Sequence, residues 1–536
     1  MTLPAPPASF RQIKGSGLFL PTSLVNQLRH DAIAEFRAAA TNRLRTGWNL
    51  GRTNATPAHW TLQRLREYCR DLDRNDPVAS GTIDTFGINI VGQGLQPQSK
   101  LRADILGLSE DRAQYLQRQA ESIFSTWKTQ ADASNRFNFD ELQFLALNTV
   151  IRDGEVFAHP TWADEGWRFL GRCLELLEAD RLTTVGAKTL TGQQTGIDVG
   201  GRGEPAFYNF TKIDPAQGID SLGGDTERIP ARDNQGRPNI LHLYRARRPN
   251  QFRGYPLFTP VITLFQDMAD FLEARVVAAK VASFLSVFIT TGDQYGSDNF
   301  ATATEAATGK NIEDLEPGEI RYLRTGERVE VIDPTKGGDT FSGFTGEIFR
   351  LMGMGIGLPY ELFTKDFTKT NYSAARAALL EGRRLFQNWR YWLANNFCQP
   401  NWELVLEEAV LRGLWEVRPR DFYANRAEYL RADWLGGGWG WVDPVKEVAA
   451  AIAAILAGLS THSRELAIQG EDWQEVFKQL AAEQQYANQH GLSFTAPKTS
   501  GGAGLAEGGP PADNQPGTLQ MILASLAQIA AEREAT

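Results

Sequence analysis

Cysteine and histidine are scarce in this sequence, and their scarcity argues against several kinds of site. The three cysteines, Cys69, Cys173 and Cys398, lie far apart and lack the spacing of metal ligands, so neither a disulfide framework nor a zinc site is expected. The six histidines form no His-Glu-x-x-His pattern. The sequence therefore predicts no metal site and no cofactor, and it fits assembly in a reducing cytoplasm.

Long uncharged hydrophobic runs are also lacking. Residues 1–17 contain no basic stretch followed by an apolar run, so a secretory signal is not expected. The most apolar stretch, 276–290, is broken by Lys280, and four charged residues lie within the ten positions before it. This charge density is too high for a bilayer span. The stretch is better interpreted as a packed helix, and no membrane association is predicted.

Positive charge is in deficit. The chain has 536 residues, 64 acidic and 55 basic, which gives a formal net charge of -9. Such a balance argues against binding nucleic acid through overall positive charge, so any contact with DNA must be local or weak.

The length is too great for one compact core and indicates several structural units.

Motifs for catalysis are missing as well. The only Gly-Lys pair, Gly309-Lys310, is followed by asparagine and lacks the upstream glycine of a nucleotide-binding loop. No serine lies in a Gly-x-Ser-x-Gly pattern. Arg152-Asp153-Gly154-Glu155 could supply an acid and a base, but a turn leading into a strand, with the arginine paired locally, is favoured. No enzyme activity is predicted, and a carboxylate hydrolase using Glu155 is the weaker alternative.

The N-terminal half predicts helices followed by a sheet. Helical spacing with many arginines covers 23–47 and 59–73, and Asn75-Asp76-Pro77 ends the second of these segments. Further helices are expected at 77–90, 109–130 and 139–151. From 153 to 247, short β-prone runs alternate with Gly, Asp and Asn clusters, which predicts a mixed or antiparallel sheet.

The C-terminal half predicts long helices around a polar insertion. A helix from 259 to about 290 carries an apolar stripe of Val261, Leu264, Phe265, Met268 and Leu272. A second helix is expected at 341–357, and the roughly 50 residues between the two, with a hairpin at 318–331, suggest a projecting subdomain.

Gly353, Gly355 and Gly357 fit close helix approach better than a dinucleotide loop. A helix at 373–411 and a module at 443–490 follow. Residues 499–517 are rich in glycine and proline, and Leu519, Ile522, Leu526 and Ile529 share one face of a last helical segment.

Seven segments, taken in order, resemble the lambda-type portal proteins of tailed bacteriophages. They are Arg74–Pro77, Asn89–Gly94, Arg152–Glu155, Arg248–Pro256, Gly357–Glu361, Asn371–Arg376 and Trp441–Glu447. Each is weak alone, but their order and spacing are specific, and the likeness runs from about residue 60 to about residue 490. One departure is Asn250, where the family usually has glycine, and it affects only a loop detail.

The resemblance implies an α+β, multidomain portal fold that assembles as a homo-oligomeric ring, a dodecamer of about twelve copies. Its regions are, by residue number, an N-terminal and wing region 1–258, first stem helix 259–290, clip 291–340, second stem helix 341–358, tunnel loop and wing helix 359–440, crown 441–498 and flexible tail 499–536. The helix–insertion–helix order read from the residues matches stem, clip and stem. The stem packing residues are then Val261, Leu264, Phe265, Met268, Leu272, Gly353, Gly355 and Gly357.

The resemblance also implies a function and partners. The ring occupies one capsid vertex in the virion, and double-stranded DNA is packaged and ejected through it. A separate terminase motor docks on the clip and is later replaced by a head–tail connector protein, while major capsid and scaffold proteins surround the ring. Another ring-forming component of the tail or baseplate is the alternative.

The loop before the wing helix is the candidate DNA contact. Its residues are Lys365, Thr368, Lys369, Thr370 and Asn371. Without the family, these lysines are more simply explained as solvated charges, or as partners of Asp366 and Glu361.

Overall fold

The computed structural model describes most of the chain between residues 57 and 492. The described ranges are 57–163, 165–183, 196–212, 225–284, 341–368, 370–440 and 442–492, together with the backbone of six short strands at 10–12, 19–21, 288–291, 303–304, 311–312 and 327–330. The helix expected at 23–47 and the last helical segment lie outside these residues. The chain divides into two compact units, Met1–Glu475 and Val476–Thr536.

Two helices begin the well-described part, α1 at His59–Asn75 and α2 at Pro77–Ile90. The break between them is confirmed, and its cause is local. The Asp76 side chain accepts hydrogen bonds from the backbone N–H of Val78 and Ala79, both at 2.8 Å, and proline occupies the first position of α2. Both features favour a helix start. A short helix, α3 at Ala103–Leu106, follows, and then α4 at Glu110–Lys128 and α5 at Phe139–Asp153.

The sheet region expected between 153 and 247 is confirmed, and its pairing is antiparallel. In one three-stranded sheet, β4 (Glu155–Trp162) lies between β5 (Arg172–Glu178) and β9 (Leu241–Tyr244). In another, β7 (Pro205–Thr211) lies between β6 (Ile197–Val199) and β8 (Thr226–Pro230). β3 (Gln96–Ser99), from the N-terminal region, pairs with β14 (Ala432–Leu435), which lies more than 300 residues later in the chain. Sequence-distant segments thereby share one large apolar core.

The long helices expected around the insertion are α6 at Ile262–Phe284 and α7 at Phe341–Ile356. The prediction that the first continues to about residue 290 is wrong, because Phe288–Thr291 is a strand, β10. Aromatic and β-branched residues at these positions favour an extended backbone. β10 pairs with β13 (Glu327–Glu330). A hairpin was expected at 318–331, but β13 pairs with a strand that lies outside those residues. Ala303–Thr304 (β11) and Asn311–Ile312 (β12) form another pair.

The expected helix at 373–411 is one continuous helical segment with a defect. It comprises α9 (Tyr372–Leu393), a π-helical turn at Ala394–Cys398 and α10 (Gln399–Leu411). The defect has a local cause in Pro400, which lacks a backbone N–H and whose ring crowds the preceding turn. The backbone N–H of Gln399 reaches back to the Ala394 carbonyl, five residues earlier, as in other π turns.

Five further helices follow in the described residues up to 492. They are α11 at Pro419–Ala424, α12 at Arg426–Tyr429, α13 at Pro444–Leu456, α14 at His462–Ile468 and α15 at Trp473–His490. The expected start at Asp443-Pro444 is confirmed, since the Asp443 side chain accepts a hydrogen bond from the Lys446 N–H at 3.3 Å. No helix in the described ranges is long and apolar enough to cross a membrane.

Candidate functional site

The bases of the two long helices pack on the core, and the predicted packing residues differ in burial. Val261, Phe265 and Met268 are buried and Leu264 is partly buried, but Leu272 is 41% exposed. Because the described single chain leaves Leu272 uncovered, the apolar stripe of α6 is buried within the chain only at its N-terminal end.

Each of the three glycines at the end of α7 is required for a different structural reason. A Cβ on Gly355 would lie 2.5 Å from Cγ1 of Val261, and one on Gly353 would lie 2.8 Å from the Leu358 carbonyl oxygen. Gly357 adopts φ +90° and ends the helix in a left-handed conformation. The close contacts of Gly353 and Gly355 are therefore made within the chain.

The candidate DNA-contacting loop joins the short helix α8 (Tyr360–Thr364) to α9. Its described residues make several local hydrogen bonds. The Asp366 carboxylate accepts from both the backbone N–H and the hydroxyl of Thr368, at 3.0 and 2.6 Å. The Thr370 hydroxyl donates to Glu361 at 3.4 Å, and Asn371 caps α9 by accepting from the Ala374 N–H at 2.8 Å.

Lys365 is the one positive side chain of this loop that the described residues include, since Lys369 lies outside them. Lys365 is exposed and adopts φ +58°, a left-handed conformation that costs a non-glycine residue energy. Glu361 and Asp366 bond to threonines, and no ion pair with Lys365 occurs in the described ranges. Lys365 is thus exposed and has no carboxylate partner among the described residues.

Two of the family-like segments, Arg152–Glu155 and Arg248–Pro256, meet in the core of the protein. The fully buried carboxylate of Glu155 accepts from Arg253 Nε at 2.8 Å and from the Gly254 N–H at 2.9 Å, and it contacts His242 Nε2 at 3.0 Å. Gly154 and Gly254 allow this approach, because an added Cβ at either position would overlap the other segment's backbone. We call these residues the Glu155 cluster.

A second group of ion pairs surrounds the Glu155 cluster. Asp153, also fully buried, binds Arg70 at 2.8 Å and Arg152 at 3.0 Å. Arg66 binds Asp180 at 2.9 Å and lies 3.8 Å from Glu155. The local pairing expected for Arg152 is confirmed. Both acidic groups of the segment are committed to arginines, so this geometry does not leave a free acid and base for catalysis.

The electrostatics of the cluster follow from burial and its arginines. Burial by itself would raise the pKa of Glu155, but the charge of Arg253 and the hydrogen bond with His242 outweigh burial and hold the pKa well below its usual value. Burial, followed by repulsion from Arg253 and Arg66, lowers the pKa of His59 to about 4. Near neutral pH this region therefore contains an ionised Glu155 and a neutral His59.

Sequence reasoning found these two segments but did not predict that they bind each other. The available signal was an acidic residue, Glu155, at the start of a strand whose next three residues are apolar or small. A buried carboxylate requires a charged or hydrogen-bonding partner. Arg253, 98 residues later, could not be identified as that partner from spacing.

The three cysteines are buried and none is in a disulfide. Burial raises the pKa of the Cys69 and Cys398 thiols, which makes them unreactive. In the part of the chain that the structure describes, no group of His, Cys, Asp and Glu residues could hold a metal ion.

The family model for phage portal proteins of the lambda family matches residues 41–390, which is 350 of the 536 residues. The chain therefore belongs to the lambda family of phage portal proteins.

Three relatives are similar over most of their length. The probable portal protein of Halomonas phage phiHAP-1 is 24% identical over 464 residues, covering 83% of this chain and 85% of the relative. The portal protein of Escherichia phage N15 is 23% identical, covering 83% and 89%. Portal protein B of Escherichia phage lambda is also 23% identical, covering 77% and 82%.

Among solved structures, the neck of a native gene transfer agent particle computed with C12 symmetry aligns with 14% identity and a TM-score of 0.41. That alignment covers 75% of this chain and 93% of the neck chain.

Proposed function

We propose that this chain is the portal subunit of a tailed phage, and that copies of it form a ring at one capsid vertex through which double-stranded DNA enters and leaves. Membership of the lambda portal family carries the proposal. Two family-like segments, Arg152–Glu155 and Arg248–Pro256, also bind each other in the Glu155 cluster. These contacts support the view that the two segments belong to one structural unit. The ring is a component of the virion and has no enzyme activity of its own.

The regions of the fold take the roles that the resemblance assigned. The helices and sheets before residue 258, together with α9, form the wing, α6 and α7 form the stem, and the insertion between them forms the clip. Helices α13 to α15 belong to the crown. Because β10 begins the insertion, we place the end of the first stem helix at Phe284, not at residue 290.

The ring is a conduit with one weak electrostatic contact to DNA. Twelve copies carry a formal charge of about -9 × 12 = -108, which repels the phosphate backbone and lowers friction. The loop residues Lys365, Thr368, Lys369, Thr370 and Asn371 supply the contact. Lys365 is exposed and has no carboxylate partner in the described ranges, and both observations support this role. The terminase and, later, the head–tail connector dock on the clip, and capsid and scaffold proteins contact the outside.

The ring is tested by electron cryo-microscopy and mass measurement of the purified protein. We expect rings with a central channel, of a subunit number that the images give directly. Monomers at all protein and salt concentrations would contradict the proposal. Closed rings that never bind terminase would instead favour another virion ring.

The loop is tested by changing both lysines, Lys365→Ala and Lys369→Ala, in particles assembled across a salt series. Ring assembly should be unchanged, and retention of packaged DNA should fall, most strongly at low salt, because phosphate binding releases counterions. A control outside the loop is Lys100→Ala, a partly buried lysine of the N-terminal region. Wild-type retention at every salt concentration would show that the loop lysines are ordinary solvated charges.

A further inference from the structure

Two arginines that follow β9, Arg245 and Arg247, line one cleft, and no acidic partner of either guanidinium occurs among the residues that the structure describes. Nη2 of Arg245 donates to the Asn388 side chain at 2.7 Å, and its guanidinium lies 4.2 Å from the centre of the Trp389 ring. The Arg247 guanidinium lies 5.4 Å from the centre of the Tyr255 ring. In the described ranges, the contacts of both guanidiniums are with neutral groups.

The segment that carries these arginines is held rigidly. The buried side chain of Gln251 accepts from the Arg247 N–H at 2.9 Å and donates to the Arg253 carbonyl at 2.7 Å. The Tyr244 hydroxyl donates to the Gln251 carbonyl at 2.7 Å. Arg253 and Gly254 are in turn anchored by Glu155. The arginine pair is therefore positioned by the Glu155 cluster before any ligand binds.

Both arginines line a cleft of about 240 Å³ at the junction of the sheet, the end of α7 and the wing helix α9. Apolar and aromatic side chains line it beside the two guanidiniums: Val150, Leu257, Ile356, Leu385, Trp389 and Tyr255. No aspartate or glutamate is among the lining residues. We call it the arginine cleft.

Arg245 is partly buried and Arg247 is exposed. A partly buried cation without a counter-charge, here Arg245 beside a second guanidinium, is unfavourable in a folded protein. Burial first, and then repulsion by Arg247, lowers the pKa of Arg245, which agrees with the geometry. Both effects are relieved when an anion enters between the guanidiniums, because guanidinium binds carboxylate or phosphate through charge-assisted hydrogen bonds.

We propose that the arginine cleft receives a carboxylate side chain from a second copy of this chain, and that this ion pair is a contact between subunits. This inference rests on the proposed ring. The apolar walls suit the methylene stem of an aspartate or glutamate, whereas a phosphodiester is polar on all sides. Charge complementarity also favours a second copy, since the chain has nine more acidic than basic residues, 64 against 55.

The test replaces both arginines of the cleft by glutamine, which removes their positive charge and keeps a polar side chain. In Arg245→Gln/Arg247→Gln, the half-assembly concentration of rings should rise at least about tenfold, which corresponds to about 1.4 kcal/mol. Arg245→Lys/Arg247→Lys keeps the charge and should assemble better than the glutamine variant. The matched control, Arg384→Gln on α9, changes a 78% exposed arginine whose partner, Glu381, lies on the same helix, and it should assemble normally. Mass photometry across concentration and salt gives the readout, and circular dichroism of the monomers checks folding.

The outcomes separate the possibilities. Wild-type rings together with undiminished assembly of the glutamine variant overturn this inference and leave the proposed function intact. Normal assembly with loss of DNA retention also overturns it, and assigns the cleft to nucleic-acid phosphate. A lysine variant that assembles no better than the glutamine variant contradicts a charge-based contact. If the wild-type protein forms no ring, both proposals fail.

Discussion

At the scale of single residues, the Glu155 cluster shows how the chain pairs buried charge. Arg253 and Glu155 are each fully buried, and their closest atoms lie 2.6 Å apart. Removing one partner leaves the other as an uncompensated buried charge, which costs more than the pair contributes when intact. The cluster therefore shows how two short polar segments are accommodated in the core, next to the buried ion pairs of Asp153 and Arg66.

We predict that Arg253→Met lowers the free energy of unfolding by about 3–5 kcal/mol, as for other broken buried pairs. The control Arg418→Met removes an arginine that is 85% exposed and paired with Asp421, and such a surface pair contributes at most about 1 kcal/mol. Denaturant unfolding of both variants measures the difference. Equal losses would show that the buried ion pair is not specially required.

Glu121, in α4, gives a pH-dependent prediction. Burial raises the pKa of Glu121 to about 7, with Asp472 and Glu475 adding repulsion, although its side chain accepts the Ser99 N–H at 2.7 Å. The folded chain therefore binds more protons here than the unfolded chain between about pH 4.5 and pH 7, so this group's stabilising contribution is present below pH 4.5 and is lost as pH rises through 7.

Glu121→Gln, which keeps an acceptor for Ser99, should therefore be more stable than wild type above pH 7, by about 1–2 kcal/mol at pH 8. At pH 4.5 the two proteins should have similar stability. Glu67→Gln on the exposed face of α1 is the control, because it makes the same substitution at an exposed position of a helix. Thermal unfolding from pH 4.5 to 8.5 measures the difference, and a constant difference would refute the raised pKa.

At the scale of elements, the helices adjacent to the insertion depend on close backbone approach. Along α7, Gly346 has open space, with the nearest atom to an added Cβ at 3.8 Å, whereas Gly353 is closed by the Leu358 carbonyl at 2.8 Å. The same substitution should consequently have opposite effects within one helix.

We predict that Gly346→Ala raises stability by about 0.5–1 kcal/mol, because alanine restricts the unfolded chain and favours helix. Gly353→Ala should lower stability by about 1–3 kcal/mol, the usual cost of overpacking. Melting temperatures of the two variants under identical conditions decide this. Stabilisation by both would show that the end of α7 has more room than the structure indicates.

At the scale of the whole molecule, the insertion between the long helices is the region for which we propose terminase docking. Its base is a pair of strands whose register places Thr291 opposite Glu327. A two-residue turn such as Asn-Gly can join paired residues in an antiparallel hairpin. Residues 292–326 can therefore be replaced by Asn-Gly while β10 and β13 stay paired.

We expect this shortened chain to form rings and to lose terminase binding in co-sedimentation. A larger deletion, 292–338, also removes β13 and should assemble less well, because β10 then has an unpaired edge. Undiminished terminase binding by the shortened ring would place the docking surface elsewhere on the molecule.

Local features of the fold were predictable because their causes are neighbouring residues. Asp76-Pro77 and Asp443-Pro444 start helices at the expected positions, since the capping side chain and the amide it binds are two or three residues apart. The end of α6 was misjudged because apolar spacing suits helix and strand alike over a few residues.

The sequence by itself determined the family, the order of most helices and sheets, and the two segments, Arg152–Glu155 and Arg248–Pro256, that form the Glu155 cluster. The tertiary structure alone decided that Glu155 binds Arg253, that Gly355 faces Val261, and that Arg245 and Arg247 share a cleft without an acidic group. A cap is specified by adjacent residues, whereas a buried charge can be satisfied by any segment that the fold brings near it. The partner is therefore chosen by packing of the whole chain and not by spacing along it.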